Sequence, residues 1–324
     1  MYPRNHKAPL GPGTKQQQNN RSIHIQTHKT TEMHKAGFVN IIGRPNVGKS
    51  TLMNAFLGEK LSIITPKAQT TRHRILGIAN GEGYQVVFSD TPGVLDPGYK
   101  LQEYMMRAVK STLLDADIFI ILSDVNEDFD HQELIDQINQ TGLPVMLLIN
   151  KIDLSDLDNV LSKTEQWKNR FPNWLVLPIS ALQNFNIDQV LNKIVEILPV
   201  SEPFFPKDDL TDRPQRFFIA EIVREKILLH YQKEIPYSVE VGVDSYKEDG
   251  EIVRIRCIIH VSRESQKGIL IGHKGSMLKK IGTEARLDME KFLGKKTFLE
   301  LHVKVSKNWR ESDTLLKRFG YSDV

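Results

Sequence analysis

The segment GRPNVGKS at residues 43–50 constrains the fold of this 324-residue chain more than any other stretch. It matches the pattern G-x-x-x-x-G-K-[ST] in full, and it lies between an apolar strand-like segment and a helix-forming one. Its two glycines let the backbone wrap around phosphate groups, and the N-terminus of the next helix adds a favourable dipole. We therefore expect a nucleotide-binding domain built around a P-loop, the phosphate-binding turn between a strand and a helix.

Apolar and helical segments alternate over residues 36–199, which predicts an α/β domain with a doubly wound sheet. Residues 59–73 have loop character, and NGEG at 80–83 indicates a hairpin turn, so the sheet is expected to be mixed. The predicted strands are 37–43, 75–81, 84–90, 117–125, 144–151 and 174–180. The predicted helices are 49–58, 98–114, 130–141, 156–170 and 186–198.

Composition divides the chain into four parts. Residues 1–35 are polar and basic without periodicity, which predicts a disordered extension, and Met33 is a candidate for the true start. Residues 36–199 form the predicted nucleotide-binding domain, and residues 200–214, which are rich in proline, a linker.

The last part, residues 215–324, is a predicted α+β domain. Its element order is α-β-β-α-α-β, with helices on both sides of the loop at 272–275. The first helix is expected over 214–231, and the strands over 237–244, 251–261 and 297–306.

The nucleotide motifs predict individual phosphate and metal ligands. Lys49 is expected to neutralise phosphate charge, and the Ser50 hydroxyl to bind Mg²⁺. In SDTPGV, Asp90 can hold Mg²⁺ through water, and the Gly93 N–H can reach a γ-phosphate. Other predicted nucleotide contacts around the loop are Gly43, Asn46, Val47, Gly48 and Thr51.

The segment KAQTTRHR at 67–74 offers one further metal ligand. Thr70 and Thr71 both qualify as a Mg²⁺ ligand that binds only while the γ-phosphate is present. The spacing does not choose between them. Either threonine would make this segment a switch that is ordered with GTP and released after hydrolysis.

A second group of motifs predicts that the base is guanine. NKID at 150–153 ends a strand, and the Asp153 carboxylate can accept from two guanine N–H groups that adenine does not offer together. Asn150 can fix N7 of the base, and the Lys151 stem can cover its face. In the ISA segment, Ser180 and Ala181 complete the site, with the Ala181 N–H directed at guanine O6.

The residue after Gly93 predicts slow hydrolysis. In Ras-type enzymes a Gln at this position orients the attacking water, but here it is Val94, which neither donates nor accepts. We expect a backbone group, a partner or a cation to help. An unassisted turnover of about 1 s⁻¹ or faster would contradict this expectation.

The C-terminal part carries a basic loop, and residues 267–310 contain eleven Lys and Arg against four Asp and Glu. By itself, GHKG at 272–275 is more typical of a plain turn between helices. Within the α-β-β-α-α-β order and this basic segment, we expect the turn to let backbone groups approach the phosphates of single-stranded RNA. Ile269, Ile271 and Leu278 are expected to form an apolar platform under the bases. On charge alone, a solvated basic surface is an equal alternative. Five cations are expected to add salt-dependent affinity: Lys279, Lys280, Arg286, Lys295 and Lys296.

The cellular compartment is indicated only indirectly. The single cysteine, Cys257, excludes an intramolecular disulfide and is expected to fill the core, which fits a reducing cytoplasmic location. No apolar stretch approaches the roughly 20 residues that span a bilayer.

Together, these motifs resemble the Era family of GTPases over about 36–324: GRPNVGKST, KAQTTRHR, DTPG, NKID, ISA, TDRPQRF, AEIVREK, IPYSV and IGHKG. The resemblance implies a P-loop GTPase domain joined to a type II KH domain, with GTP or GDP and Mg²⁺ as cofactors. It implies GTP hydrolysis, binding near the 3′ end of small-subunit ribosomal RNA, and a role in maturing the small ribosomal subunit.

The resemblance also assigns residues. Asn46 matches an asparagine that in related GTPases is linked to a K⁺ ion beside the phosphates. RNA contacts are expected from the turn and the helix after it, at Ile271, Gly272, His273, Lys274, Gly275, Lys279 and Lys280.

Two alternatives stay open at this point. The chain could be an RNA-binding protein whose GTPase domain senses GTP and GDP levels, and turnover that RNA does not stimulate would favour that. It could instead be a GTPase that contacts the inner membrane peripherally through its basic face, although no amphipathic basic helix stands out. No obligate protein partner is evident from the sequence.

Overall fold

The computed structural model describes residues 33–321. The predictions about residues 1–32, including their disorder and the choice of start, lie outside this part. Within it, the elements follow the predicted order, and most boundaries agree with the sequence prediction to within a few residues.

The N-terminal half is a six-stranded mixed sheet with the strand order β2-β3-β1-β4-β5-β6. The pair β2 and β3 is antiparallel, as the NGEG hairpin predicted, and the other neighbours are parallel. The doubly wound mixed sheet is confirmed. Its strands are β1 Lys35–Gly43, β2 Ile75–Gly81, β3 Tyr84–Asp90, β4 Ile118–Asp124, β5 Val145–Asn150 and β6 Leu175–Pro178.

Helices cover the two faces of this sheet: α1 Lys49–Leu57, α2 Lys100–Ser111, α3 Gln132–Thr141, α4 Leu157–Arg170 and α5 Ile187–Ile197. One apolar core lies under α1 and α5, where Leu52 and Ile194 meet the strands. The other lies under α3 and α4, where Ile135 and Val160 do the same. Because both faces are buried, the central strands are apolar along their whole length. This packing presents the carboxyl ends of β1, β3 and β5 at one edge.

The C-terminal half packs helices against a three-stranded sheet in the order β7-β8-β9. Val253, Ile255 and Cys257 alternate along β8 and are all buried, and Val223 of the first helix belongs to the same core. Cys257 is fully buried in this core, as predicted, and burial raises the pKa of its thiol to about 12. The elements are α6 Gln215–His230, α7 Ile235–Ser238, β7 Val239–Asp249, β8 Ile252–Val261, α8 Glu264–Ile271, α9 Ser276–Leu293 and β9 Lys296–Val305.

Two short helices were not predicted from the sequence. One is α7, which occupies the start of the strand predicted from residue 237, so β7 begins only at Val239. The other is α10 Asp313–Arg318, which follows a helical turn at Trp309–Glu311. This C-terminal segment packs against α2 of the N-terminal half, where Trp309 is buried in one cluster with Leu101. Residues 309–321 therefore join the two halves.

No helix within residues 33–321 is both long enough and apolar enough to cross a membrane.

Candidate functional site

The P-loop at residues 43–50 connects β1 to α1 and needs glycine at two positions. Gly48 has a φ of 102°, and a Cβ there would lie 2.4 Å from the Asn150 amide nitrogen. A Cβ on Gly43 would lie 2.5 Å from the Leu122 carbonyl oxygen. Side chains at either position would displace the loop. Glycine therefore lets the backbone N–H groups at the start of α1 face an anion.

Lys49 supplies a positive charge within this loop. Its side chain is buried, and its Nζ donates to the carbonyl oxygens of Gly43 at 3.0 Å and Arg44 at 2.8 Å. Burial lowers the pKa of Lys49 to about 8, and the nearby Asp90 carboxylate partly opposes this shift. An anion bound in the loop would favour the charged form of the amine, so phosphate binding and protonation of Lys49 reinforce each other.

Three oxygen-bearing side chains converge beside the P-loop. The Ser50 hydroxyl lies 2.8 Å from the Thr71 hydroxyl and donates to Asp90 Oδ2 at 2.7 Å, and Thr71 donates to the same oxygen at 3.3 Å. Burial raises the pKa of Asp90, although the bond from Ser50 and the charge of Lys49 oppose it. The other oxygen, Asp90 Oδ1, is buried without a hydrogen-bond partner in the described part of the chain.

These oxygens fit a magnesium ion. Mg²⁺ prefers hard oxygen donors and keeps several waters, and the unpartnered Oδ1 of Asp90 could accept from such a water. Thr70 has different neighbours, since its hydroxyl lies 2.6 Å from the Thr65 hydroxyl and donates to the Lys67 carbonyl at 2.6 Å. The structure thus brings Thr71, rather than Thr70, to Ser50 and Asp90.

The segment after β3 lies directly against the P-loop. A Cβ on Gly93 would approach the Pro45 backbone to 2.6 Å, so only glycine fits there. The N–H of Val94 donates to the Gly43 carbonyl at 3.0 Å, and the Val94 side chain is buried in the core under α3 and α4. Val94 is therefore both apolar and turned away from solvent.

The predicted base-binding residues meet at the ends of β5 and β6. Asn150 donates to the Val47 carbonyl at 2.8 Å and accepts from the Ala181 N–H at 2.9 Å. Asp153 accepts from the Ser180 hydroxyl at 2.5 Å. Asn150 thus connects the P-loop to the segment after β6, a bracing role that the sequence motif did not reveal.

A cavity of about 420 Å³ runs from the P-loop to these residues, which is large enough for a nucleotide. Lys151, in a left-handed conformation with a φ of 64°, contributes to its wall and pairs with Asp124 at 2.7 Å. The lining residues include Asn46, Gly48, Lys49, Ser50, Thr51, Thr70, Thr71, Gly93, Asn150, Lys151 and Asp153.

The basic loop of the C-terminal half is a tight turn between α8 and α9. Gly272 and Gly275 have φ values of 74° and 78°, and a Cβ on Gly272 would lie 2.9 Å from Met277. His273 and Lys274 between them are exposed. The turn therefore presents both side chains to solvent, as predicted.

A groove of about 330 Å³ continues from this turn along α9 and β9. Leu278 and Lys279 line it, as do Leu299 and Leu301 of β9. The sequence did not indicate these two leucines, because β9 begins about 20 residues after the turn and only the fold brings it alongside α9. Ile269, which is half exposed, and Ile271 both lie outside this lining, so Leu278 alone of the predicted apolar platform belongs to the groove.

The predicted cations around the groove fall into two groups. Arg286 and Lys296 both pair with Glu290, at 2.8 and 4.0 Å, and Lys295 pairs with Glu248 at 2.6 Å. In contrast, three lysines form no ion pair with any residue of the described chain, so their charges are available to a ligand. They are Lys274, Lys279 and Lys280.

Comparisons with known proteins agree with this geometry. Residues 38–151 match a family described as 50S ribosome-binding GTPase, and residues 234–310 match the KH domain family. GTPase Era of Syntrophus aciditrophicus is 46% identical over 295 residues, covering 90% of this chain and 96% of that protein. GTPase Era of Geobacter metallireducens is 46% identical over 292 residues, covering 89% and 98%. The chain belongs to the Era family of GTPases.

Two solved Era structures share this architecture. One is Era in complex with MgGDPNP and nucleotides 1506–1542 of 16S ribosomal RNA, with a TM-score of 0.86 and 40% identity over 89% of this chain and 99% of that one. The other is a variant of Aquifex aeolicus Era bound to GDP and AlF₄⁻, with a TM-score of 0.85, 41% identity and the same coverage. Membership of the Era family makes this chain a GTPase with a C-terminal KH domain.

Proposed function

We propose that this chain is a GTP-hydrolysing switch that binds the 3′ region of small-subunit ribosomal RNA and assists maturation of the small ribosomal subunit. The observation that carries the proposal is the presence of two candidate sites in one chain. One is the oxygen cluster beside the P-loop, and the other is the basic groove along α9. We assign the GTPase domain to 36–199, the linker to 200–214 and the KH domain to 215–324.

In the GTPase domain, Ser50 and Thr71 would bind Mg²⁺ directly and Asp90 through water. The ion would offset the negative charge of the phosphates. Lys49 and the Gly93 N–H would hold the terminal phosphate, and the carboxylate of the NKID motif would select guanine. The distances among Ser50, Thr71 and Asp90 support the proposed metal site.

Hydrolysis needs a group other than Val94, and a potassium ion near Asn46 is our candidate. Asn46 is exposed in a left-handed conformation, and its amide donates to the Pro66 carbonyl at 3.2 Å. That contact joins this P-loop residue to Pro66, which directly precedes the segment that carries Thr71. Turnover that rises when NaCl is replaced by KCl, and that loses this response in Asn46→Ala, would support the candidate. Equal turnover in both salts would contradict it.

In the KH domain, RNA phosphates would meet the turn at 272–275, and unstacked bases would enter the groove. Leu278, Leu299 and Leu301 provide its apolar surface. The three unpaired lysines of the turn and of α9 would release counterions when RNA binds.

The test is a titration of a single-stranded RNA from the small-subunit 3′ end at several salt concentrations. We expect His273→Asp/Lys274→Asp to abolish binding, and Lys279→Ala/Lys280→Ala to weaken it. Each lost phosphate contact should make the slope of log affinity against log salt shallower by about 0.7.

Lys291→Ala is a matched control for this titration. Lys291 lies on α9 outside the groove lining and pairs with Asp288 at 3.4 Å. We expect its RNA affinity and salt slope to equal those of the wild type. Wild-type affinity in the 273/274 variant would overturn the assignment of the turn.

A further inference from the structure

The segment that carries Thr71 is held by the KH domain as well as by the nucleotide site. Residues 67–74, here called the switch segment, run between the P-loop and the C-terminal half. The Lys67 ammonium donates to the Tyr231 carbonyl, at 2.5 Å, at the end of α6. Contacts therefore reach this segment from the domain that is proposed to bind RNA.

Arg224 of α6 makes the first contact beside Thr71. Its guanidinium is buried and donates to both carboxylate oxygens of Glu221, at 2.6 and 2.5 Å. The same guanidinium donates to the Thr70 carbonyl. This carbonyl belongs to the peptide unit that leads into Thr71, so Arg224 fixes the backbone orientation of Thr71 from its N-terminal side.

Arg72 makes the second contact, on the other side of Thr71. Its buried guanidinium donates to the Val239 carbonyl at 2.7 Å, the Pro236 carbonyl at 2.9 Å and Glu240 Oε2 at 3.1 Å. Glu240 also accepts from the Tyr321 hydroxyl at 2.8 Å. The KH domain therefore holds the chain immediately after Thr71 through three acceptors.

Both arginines are buried, which distinguishes their contacts from ordinary ion pairs on the surface. Charged hydrogen bonds that are buried are directional, and they are little screened by solvent. His73 adds an aromatic contact, because its ring stacks on Tyr321 with 4.2 Å between centroids. Thr71 lies between these restraints, and its hydroxyl is the group that meets Ser50.

We propose that Arg224 and Glu240 are positioning residues for GTP hydrolysis, which hold Thr71 beside the P-loop from within the KH domain. The proposal rests on the proposed function, since it needs Thr71 to bind Mg²⁺ with GTP. Arg224 acts through the Thr70 carbonyl, and Glu240 acts through Arg72. A partner that moves α6 or β7 would thereby change the metal site without touching the nucleotide.

The test measures the Mg²⁺ concentration for half-maximal GTP hydrolysis, and separately the affinity for GDP. In Arg224→Gln we expect the Mg²⁺ requirement to rise about tenfold, because one charged hydrogen bond to the switch segment is lost. Affinity for GDP should stay within about twofold, since Thr71 is expected to bind the metal only with the γ-phosphate. Arg224→Lys, which retains the charge and one donor, should recover part of the effect.

Asp313→Asn is the matched control. Asp313 also lies at the contact between the two halves, but its bonds go to Lys100 and Tyr104 of α2 and not to the switch segment. We expect its Mg²⁺ requirement to equal that of the wild type. An unchanged Mg²⁺ requirement in a folded Arg224→Gln variant would overturn the proposal. A loss of GDP affinity as large as the rise in the Mg²⁺ requirement would also overturn it.

Glu240→Gln provides a second variant if Arg224→Gln does not fold. It keeps the size of the side chain but removes the charge opposite Arg72, and the same shift in Mg²⁺ requirement is expected. A folded Glu240→Gln variant with wild-type Mg²⁺ dependence would overturn the proposal. If the proposed function itself were wrong, the wild type would show no Mg²⁺-dependent hydrolysis of GTP, a result that differs from both of these outcomes.

Discussion

At the scale of single residues, substitution of Asp153 tests whether this side chain selects guanine. Asp153→Asn replaces an acceptor-only carboxylate with an amide that also donates, so it loses one of the two bonds to guanine. We expect affinity for GTP to fall by about a hundredfold or more, since both bonds are charge-assisted. Affinity for xanthosine triphosphate should rise, because its base offers a carbonyl where guanine has an amine. Competition binding with both nucleotides measures this, and unchanged selectivity would contradict the assignment.

The neighbouring threonines provide a second prediction at this scale. Thr71→Ala should reduce GTP hydrolysis by about tenfold or more, because it removes an oxygen from the proposed metal site. Thr70→Ala removes a hydroxyl that bonds to Thr65 and Lys67 instead, so it should have a smaller effect. Initial rates at saturating GTP compare the two variants. A larger loss in Thr70→Ala would reverse the assignment.

The role of a residue can be predicted from the sequence when it depends on a short motif, and not when it depends on contacts with distant parts of the chain. Ser50, Asp90 and Asp153 belong to short motifs that begin at or just after the ends of strands, so the motifs alone predicted roles for them. Thr70 and Thr71 could not be separated, because both fit the spacing and only the folded chain shows which hydroxyl meets Ser50. The bracing by the asparagine of NKID depends on segments more than 30 residues away, beyond what a motif can reveal.

At the scale of elements, Gly282 of α9 affects both the stability of the helix and the groove that is proposed to bind RNA. Gly282 lies within α9 and lines the groove, and a Cβ there would lie 3.4 Å from Leu301 Cδ1. Gly282→Ala should raise the free energy of unfolding by up to about 1 kcal/mol, because alanine favours helix. It should also weaken RNA binding by about tenfold, because the added methyl narrows the groove.

Gly268→Ala is the control for this prediction. Gly268 lies within α8, and a Cβ there would meet open space outside the groove lining. Urea unfolding and RNA titration should show higher stability and unchanged RNA affinity. If Gly282→Ala binds RNA as tightly as Gly268→Ala does, bases do not enter the groove.

Most elements followed from apolar periodicity, and the exceptions were short. The central strands of the N-terminal sheet are continuous apolar runs, and α9 is amphipathic over eighteen residues. In contrast, α7 has four residues and α10 has six, so neither is long enough to show a repeating pattern. Their helical conformation depends on packing that the local sequence does not specify.

At the scale of the whole molecule, Trp309 holds the C-terminal segment in place. It is fully buried in one cluster with Leu101 and Met105 of α2, and its Nε1 donates to the Ser238 carbonyl at 2.9 Å. Trp309→Ala should lower the free energy of unfolding by about 3–5 kcal/mol. Trp309→Phe keeps most of the apolar volume and should lower the free energy of unfolding by less. Urea unfolding measures both, and a loss below about 1 kcal/mol in Trp309→Ala would contradict this role.

The contact between the two halves was the least predictable feature. The sequence alone assigned no role to Trp309, since a lone tryptophan after a strand indicates burial but not its partner. Nothing in the local sequence separates Arg72 and Arg224 from ordinary surface cations. The acceptors that each finds in the other half lie more than 150 residues away, and only the folded chain brings them together.

In the proposed function, the nucleotide state of the GTPase domain controls RNA binding by the KH domain. The most direct measurement is the affinity for the small-subunit 3′ RNA with GDP and with a non-hydrolysable GTP analogue, at one salt concentration. We predict tighter binding with the GTP analogue, and loss of RNA binding with both nucleotides in His273→Asp/Lys274→Asp. Equal affinity with the two nucleotides would contradict it, because the KH domain would then bind RNA independently of the GTPase domain.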